Sequence, residues 1–223
     1  MQRRHLIPLM LLIAAPIVRA ADAPFEKEIR AFEASDAKQP PPKNAILFVG
    51  SSSIRFWTTL AEDFPNVPVI NRGFGGSEIA DSTRYADRIV IPYHPKQIVM
   101  YAGDNDIAKG KSPQQVADDF KAFVEKVRAA LPDMPISYIC IKPSIQRWKL
   151  VDKIREADRL IREYASGQKN IDYIDVFTPM LDEQSMPRKE LFREDGLHLN
   201  REGYKLWVSL VRPVLRQAPS TSR

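Results

Sequence analysis

The chain has 223 residues, 44% of them hydrophobic and 27% charged, with a formal net charge of +5. That composition is globular, suits one sizeable domain, and excludes a disordered or collagenous chain. A single cysteine, Cys140, excludes an intramolecular disulfide and a cysteine-rich zinc site.

Residues 1–20 read as a secretory signal peptide. Arg3 and Arg4 precede an apolar run from Leu6 to Val18, and Val18-Arg19-Ala20 offers a cleavage site after Ala20. Ala21-Asp22-Ala23 offers a second site, after Ala23. A membrane anchor is the alternative, but the 13 residues of the run, interrupted by Pro8 and Pro16, fall short of the ~20 that a span needs. Cys140 lies far from any lipoprotein position. The expected location is therefore the periplasm or the exterior, with no stable membrane insertion after cleavage.

Removing residues 1–20 takes away three basic residues and no acidic one, which leaves 203 residues with a net charge of +2. No long basic run remains, so nucleic-acid binding has little support. His5 leaves as well, so His94 and His198 are the two histidines of the mature chain. A histidine-rich metal site is excluded, and histidine catalysis must use one of these two.

Residues 21–44 form a polar lead-in, with a helical pattern over 24–37 (Phe25, Ile29, Phe32) stopped by Pro40-Pro41-Pro42. A short apolar run follows at 45–49, then a Gly-Ser turn and a predicted helix over 53–62. The next run is 67–70, followed by a Gly-rich turn and a helix over 78–89. A third run, 97–101, leads into Gly103-Asp104-Asn105-Asp106. Ser112, Pro113 and Gln115 form a capping box and first turn. Val116, Phe120, Phe123, Val124, Val127 and Leu131 then stripe one helical face.

Residues 135–141 make a fourth run. Val151, Ile154, Leu160, Ile161 and Tyr164 mark a helix ending near Gly167, and a fifth run spans 171–177. Asn200 caps a last helix bearing Tyr204, Trp207, Val208, Leu210 and Val211. Short apolar runs alternating with amphipathic helices predict one α/β domain over 45–217, with a five-stranded parallel sheet covered on both faces. Residues 218–223 read as a frayed tail.

In such a sheet, ligands bind beyond the carboxyl ends of the strands. Four loops at that edge together supply the parts of an acyl-transfer site. Ser52, at a strand-to-helix turn, has an exposed hydroxyl and a backbone N–H where negative charge is favoured. A neutral His198 can take its proton, and Asp195, three residues earlier, can orient that ring. The Ser52 N–H, the unobstructed Gly76 N–H and the Asn105 amide make a three-donor oxyanion hole.

These loops resemble the blocks of the SGNH hydrolases, also called GDSL esterases/lipases. Gly50-Ser51-Ser52-Ser53 matches the first block with Ser52 at the nucleophile position, and the segment from Asn71 to Gly76 matches the second. Gly103-Asp104-Asn105-Asp106 fits the GxND of the third, and Asp195-Gly196-Leu197-His198 the DxxH of the last. Ser51 and Ser53 stand where the consensus has Asp and Leu. The GSSS form is more like the group near platelet-activating-factor acetylhydrolases. The resemblance covers about residues 45–215. It implies a flavodoxin-like three-layer α/β/α sandwich and a serine esterase, with a Ser52, Asp195 and His198 triad acting on carboxylic esters; the sequence has no large apolar lid segment, from which a short or acetyl chain is expected. It implies no cofactor or metal.

Bland readings stand beside these. Ser51 to Ser53 form an N-cap cluster in their own right, Gly73, Gly75 and Gly76 serve a tight turn, and Asn105 can cap a turn through its own side chain. Asp104 and Asp106 read as turn formers rather than metal ligands, Cys140 as an inert core residue, and His94 as a loop residue at the opposite edge. Arg72, Arg147 and Trp148 are candidates for lining the substrate pocket. Two other functions share the fold: an O-acetyl esterase or acyltransferase on polysaccharide with the same triad, and a non-catalytic binding protein. The expected partner is a small-molecule or glycan-borne ester; the residues carry no reading of oligomeric state.

Overall fold

The computed structural model describes residues 23–216. The signal peptide expected over 1–20, the cleavage sites beside it and the tail at 218–223 lie outside or at the limit of the described residues. Five strands form one parallel sheet in the order β2-β1-β3-β4-β5. They are β1 (Ile46–Gly50), β2 (Val69–Gly73), β3 (Gln97–Tyr101), β4 (Ile136–Ile139) and β5 (Ile171–Ile174). Strands β1, β3 and β4 are buried along their whole length, which explains their largely apolar make-up; buried Gln97 of β3 and Ser137 of β4 bond to each other at 2.7 Å. The chain is the flavodoxin-like α/β/α sandwich expected from its sequence.

The helices are α1 (Glu26–Lys38), α2 (Ser52–Arg55), α3 (Leu60–Asp63), α4 (Ile79–Arg84), α5 (Ala86–Ile89) and α6 (Asp104–Ala108), then α7 (Pro113–Ala130), α8 (Val151–Ser166) and α9 (Arg201–Val211). Register assigns the faces. Phe48 is paired with Asn71 and Val99, so it and Tyr101 share one face. There Phe48 meets Trp57 and Phe64, and Tyr101 meets Trp207 of α9. Tyr138, level with Met100, points the other way and packs on Phe120 of α7. Helices α4, α7 and α8 lie side by side over that second face. The expected caps are present: Ser112 and Gln115 exchange side-chain bonds, and Asn200 accepts from the Glu202 and Gly203 amides.

Two expected helices are each broken. The stretch over 53–62 becomes α2 and α3, because buried Trp57 turns inward and donates its Nε1–H to Asp63 at 2.7 Å. Thr59 also donates to Asp63, at 2.8 Å, and Arg201 of α9 closes on the same carboxylate. The stretch over 78–89 becomes α4 and α5, breaking at buried Tyr85, whose hydroxyl donates to Pro24 O beside α1.

Candidate active site

Strand β1 ends at Gly50 with φ +131, and a Cβ there would lie 1.9 Å from Tyr101 O. Only glycine lets the chain turn this close to β3. Ser51 N–H then donates to Tyr101 O at 3.0 Å, and α2 begins at Ser52. The turn is also held from behind, where Tyr204 of α9 donates to Ser53 O at 2.9 Å. Ser52 is thus fixed at the carboxyl edge of the sheet with its hydroxyl outward.

His198 Nε2 lies 3.0 Å from Ser52 Oγ, and His198 Nδ1 lies 2.6 Å from Asp195 Oδ2. A carboxylate only accepts, so Nδ1 carries the ring proton and Nε2 is left to receive the serine hydroxyl. The other Asp195 oxygen accepts from the Leu197 and His198 amides at 2.9 and 2.8 Å. Partial burial works to raise the Asp195 pKa, but the bonds from the His198 ring and the two amides outweigh it and hold it at about 2. Phe56 packs edge-on to the imidazole, ring centroids 4.9 Å apart, and the Arg193 guanidinium covers the Phe56 ring. Neither residue stands out in the sequence.

The loops after β1, β2 and β3 are stitched together. Phe74 N–H donates to Gly50 O at 2.9 Å, and the Ser77 hydroxyl lies 3.2 Å from Gly50 O and 2.9 Å from Phe74 O. Asn105 Nδ2 donates to Ser77 O at 2.9 Å. Asp106 accepts from the Ile79 amide at the start of α4 and from Lys111, while burial pushes its carboxyl up. Gly76 sits beside Ser77 with φ +79 and open space where a side chain would project. The Ser52 and Gly76 amides have no acceptor among the described residues. With the second Nδ2 hydrogen of Asn105, they leave three donors on the loops at and beside Ser52.

The candidate pocket residues separate. Arg72 is 8% exposed and belongs to the attachment of α1: it donates to Asp36, Asn71 O and Tyr93 Oη, and lies over the Phe32 and Tyr93 rings. Its register with Val49 aims it at the α1 face, so it does not line the site. Arg147 is also engaged internally. It donates to Asp104 through Nη1 and to Asn105 Oδ1 through Nη2 at 3.0 Å. Asp104 in turn receives the buried Lys142 ammonium at 2.7 Å, so it is an ionic junction and not merely a turn former. Burial alone would raise the Asp104 carboxyl; Lys142 and Arg147 bring it below the ordinary value.

Trp148 lines a groove of about 700 Å³ with Ile145, Asp182, Gln184, Met186 and Arg188 among its walls. The groove adjoins the histidine loop: Gln146 N–H donates to Gly196 O at 3.1 Å, and Ile145 packs at Gly196. His94 lies before β3, at the opposite edge, and Cys140 is buried with its thiol pushed up by burial. Among the described residues, no three His, Cys, Asp or Glu side chains cluster as a metal site, and no helix is long and apolar enough to cross a membrane.

A sequence profile of the GDSL-like lipase/acylhydrolase family matches residues 48–206. The chain belongs to that family. It is with that family an ester-hydrolysing enzyme. Among solved structures, it is similar to a GDSL-like lipase from Bacteroides thetaiotaomicron, with TM-score 0.71 and 20% identity over 83% of this chain and 96% of that one. It is also similar to a Streptococcus pneumonia protein named for platelet activating factor, with TM-score 0.76 and 22% identity over 86% and 92% of the two chains. A third likeness is to an acetyl-xylooligosaccharide esterase from Geobacillus Stearmophilus, with TM-score 0.63 and 13% identity over 78% and 94%. At these identities the likenesses speak for the fold. No curated protein matches the chain at a significant level.

Proposed function

We propose that this GDSL-family member is an exported serine esterase acting on carboxylic esters with a short acyl group, acetyl foremost. The unbroken line from Asp195 through His198 to Ser52, at 2.6 and 3.0 Å, carries the reading. Ser52 Oγ attacks the ester carbonyl carbon as His198 Nε2 takes its proton, and the imidazolium is stabilised by Asp195. The Ser52 and Gly76 amides and Asn105 Nδ2 hold the oxyanion. Collapse expels the alcohol, which leaves with the proton from His198, and Ser52 carries the acyl group. Water activated by His198 then releases the acid and restores the serine.

The groove beside Gly196 favours a second, narrower reading: an O-acetyl esterase whose alcohol is a sugar. The groove joins the half-buried face of Trp148 to Ile145 and Met186, which are 39% and 43% exposed. Asp182, Arg188 and Glu190 among its polar side chains have partners already. Asp182 accepts from the Gln184 and Met186 amides, and Arg188 donates to Glu190 and Pro179 O. An uncharged ring with an apolar face suits such a surface better than an ionic group does. Export rests on Arg3, Arg4 and the apolar run ending at Ala20.

The deciding experiment compares residues 21–223 with their Ser52→Ala variant on p-nitrophenyl acetate, butyrate, octanoate and palmitate and on acetylated oligosaccharides. The expected result is turnover of short esters that falls to background in the variant, with acetate release from the oligosaccharides supporting the sugar reading. Equal activity in parent and variant would remove Ser52 as nucleophile. Ligand binding without turnover of any ester would favour a binding protein.

A further inference from the structure

The Asn105 amide is planar and nearly symmetric in shape, so rotation by half a turn exchanges its donor for its acceptor. Facing the wrong way, it would present Oδ1 to a developing oxyanion and repel it. Two groups fix its direction. Ser77 O can only accept and takes one Nδ2 hydrogen at 2.9 Å; the Arg147 guanidinium can only donate and engages Oδ1 at 3.0 Å. The second Nδ2 hydrogen is left for the site.

Arg147 is itself anchored. Its Nη1 donates to Asp104 Oδ1, while Asp104 Oδ2 accepts from Lys142 Nζ at 2.7 Å. Lys142 is 1% exposed and also reaches the Tyr101 hydroxyl at 3.0 Å, at the end of β3. The chain of groups therefore runs from the sheet through Lys142, Asp104 and Arg147 to Asn105. Two cations flank one carboxylate in it, so a net positive charge sits behind Oδ1. A cation at the carbonyl end of an amide polarises it and strengthens its N–H as a donor.

We propose that Arg147 is a positioning residue of the oxyanion hole, locking the Asn105 amide with Nδ2 toward the substrate oxygen, with Lys142 and Asp104 as its mount. This rests on the esterase reading above and assigns Arg147 a role other than touching substrate.

The test measures kcat and KM of the purified protein on p-nitrophenyl acetate for the parent, Ser52→Ala, Asn105→Ala, Arg147→Met, Arg147→Lys and the Asn105→Ala/Arg147→Met double variant. Losing one oxyanion donor lowers kcat by about 10²–10³, so Asn105→Ala should fall in that range and Arg147→Met by about 10–100-fold, with KM nearly unchanged. The double variant should be no slower than Asn105→Ala alone, because an amide that is gone cannot be misoriented. Arg147→Lys keeps a cation against Asp104, and so the fold, but has no fork to span both acceptors. It should lose at least about fivefold in kcat, and it decides the matter should Arg147→Met not fold.

Near-parental kcat in both Arg147 variants, a rise in KM instead of a fall in kcat, or a multiplicative loss in the double variant would each overturn the proposal. If Asn105→Ala keeps its kcat while Ser52→Ala is inactive, the oxyanion assignment falls and this proposal with it. If Ser52→Ala stays active, the esterase mechanism itself is what failed.

Discussion

His198 Nε2 stands 3.0 Å from Ser52 Oγ although 146 residues separate the two in the chain. The Asp195–His198 pair, in contrast, is made inside one loop at a spacing of three residues. Asp195 is held at about 2, so it remains charged throughout the range from pH 8 to 4. Protonation of His198 removes the acceptor for the serine proton. We expect kcat/KM for p-nitrophenyl acetate to fall on the acid side with the slope of a single proton. A pH-rate profile checks this; a slope of two, or a flat profile, contradicts it.

Asp63 gives a pH dependence of stability. Burial works to raise its carboxyl, yet hydrogen bonds from Arg201, Trp57 and Thr59 bring it to about 2. A native pKa below the unfolded value stabilises the protein above the ordinary carboxylate range, and that gain is lost as pH falls toward 2. The depression corresponds to about 2 kcal/mol. Asp63→Asn should lower Tm at pH 7 by about 4–8 °C, and its difference from the parent should shrink steadily on acidification. Calorimetry across pH 7 to 2.5 reads both.

Arg72→Met should separate attachment from catalysis. The substitution strips Asp36 and Tyr93 of their cationic partner and weakens the seat of α1. A loss of about 1–3 kcal/mol in stability is expected, with kcat and KM for short esters unchanged. A raised KM would instead return Arg72 to the substrate pocket.

Gly50→Ala should be among the most damaging small substitutions. Its Cβ would lie 1.9 Å from Tyr101 O, backbone that cannot move without parting β1 from β3, at a φ of +131. The expected cost exceeds about 3 kcal/mol. Soluble yield and Tm report it.

The sheet and the four loops are legible in the sequence because their signals are local: unbroken apolar runs, glycine turns, a Ser-Pro cap, an Asp three residues before a His. Ion pairing across loops is not. Lys142 and Asp104 are 38 residues apart, Arg147 and Asp104 are 43, and nothing in the sequence fixes which basic residue the acidic turn will receive. A clue is present in Lys142 itself, a lysine directly after a buried strand, which must find a carboxylate nearby. Arg72 as a pocket residue fails for a similar reason. Its position at the end of β2 gives the right edge, but strand alternation turns its side chain toward α1. The broken helices likewise follow from distant partners, since Trp57 and Asp63 turn inward to meet α9.

The division of labour along the chain has a consequence for how this enzyme can change. In the proposed mechanism the nucleophile turn and the three oxyanion donors come from residues 50–105, on loops stitched to one another, whereas the groove walls come from 145–148 and 182–190. On the proposed reading, the 182–190 wall of the groove is separate in sequence from the residues that carry the chemistry. Changes confined to residues 182–190 leave Arg147, which holds Asn105, in place, so that stretch rather than 145–148 is the place to graft a new substrate preference.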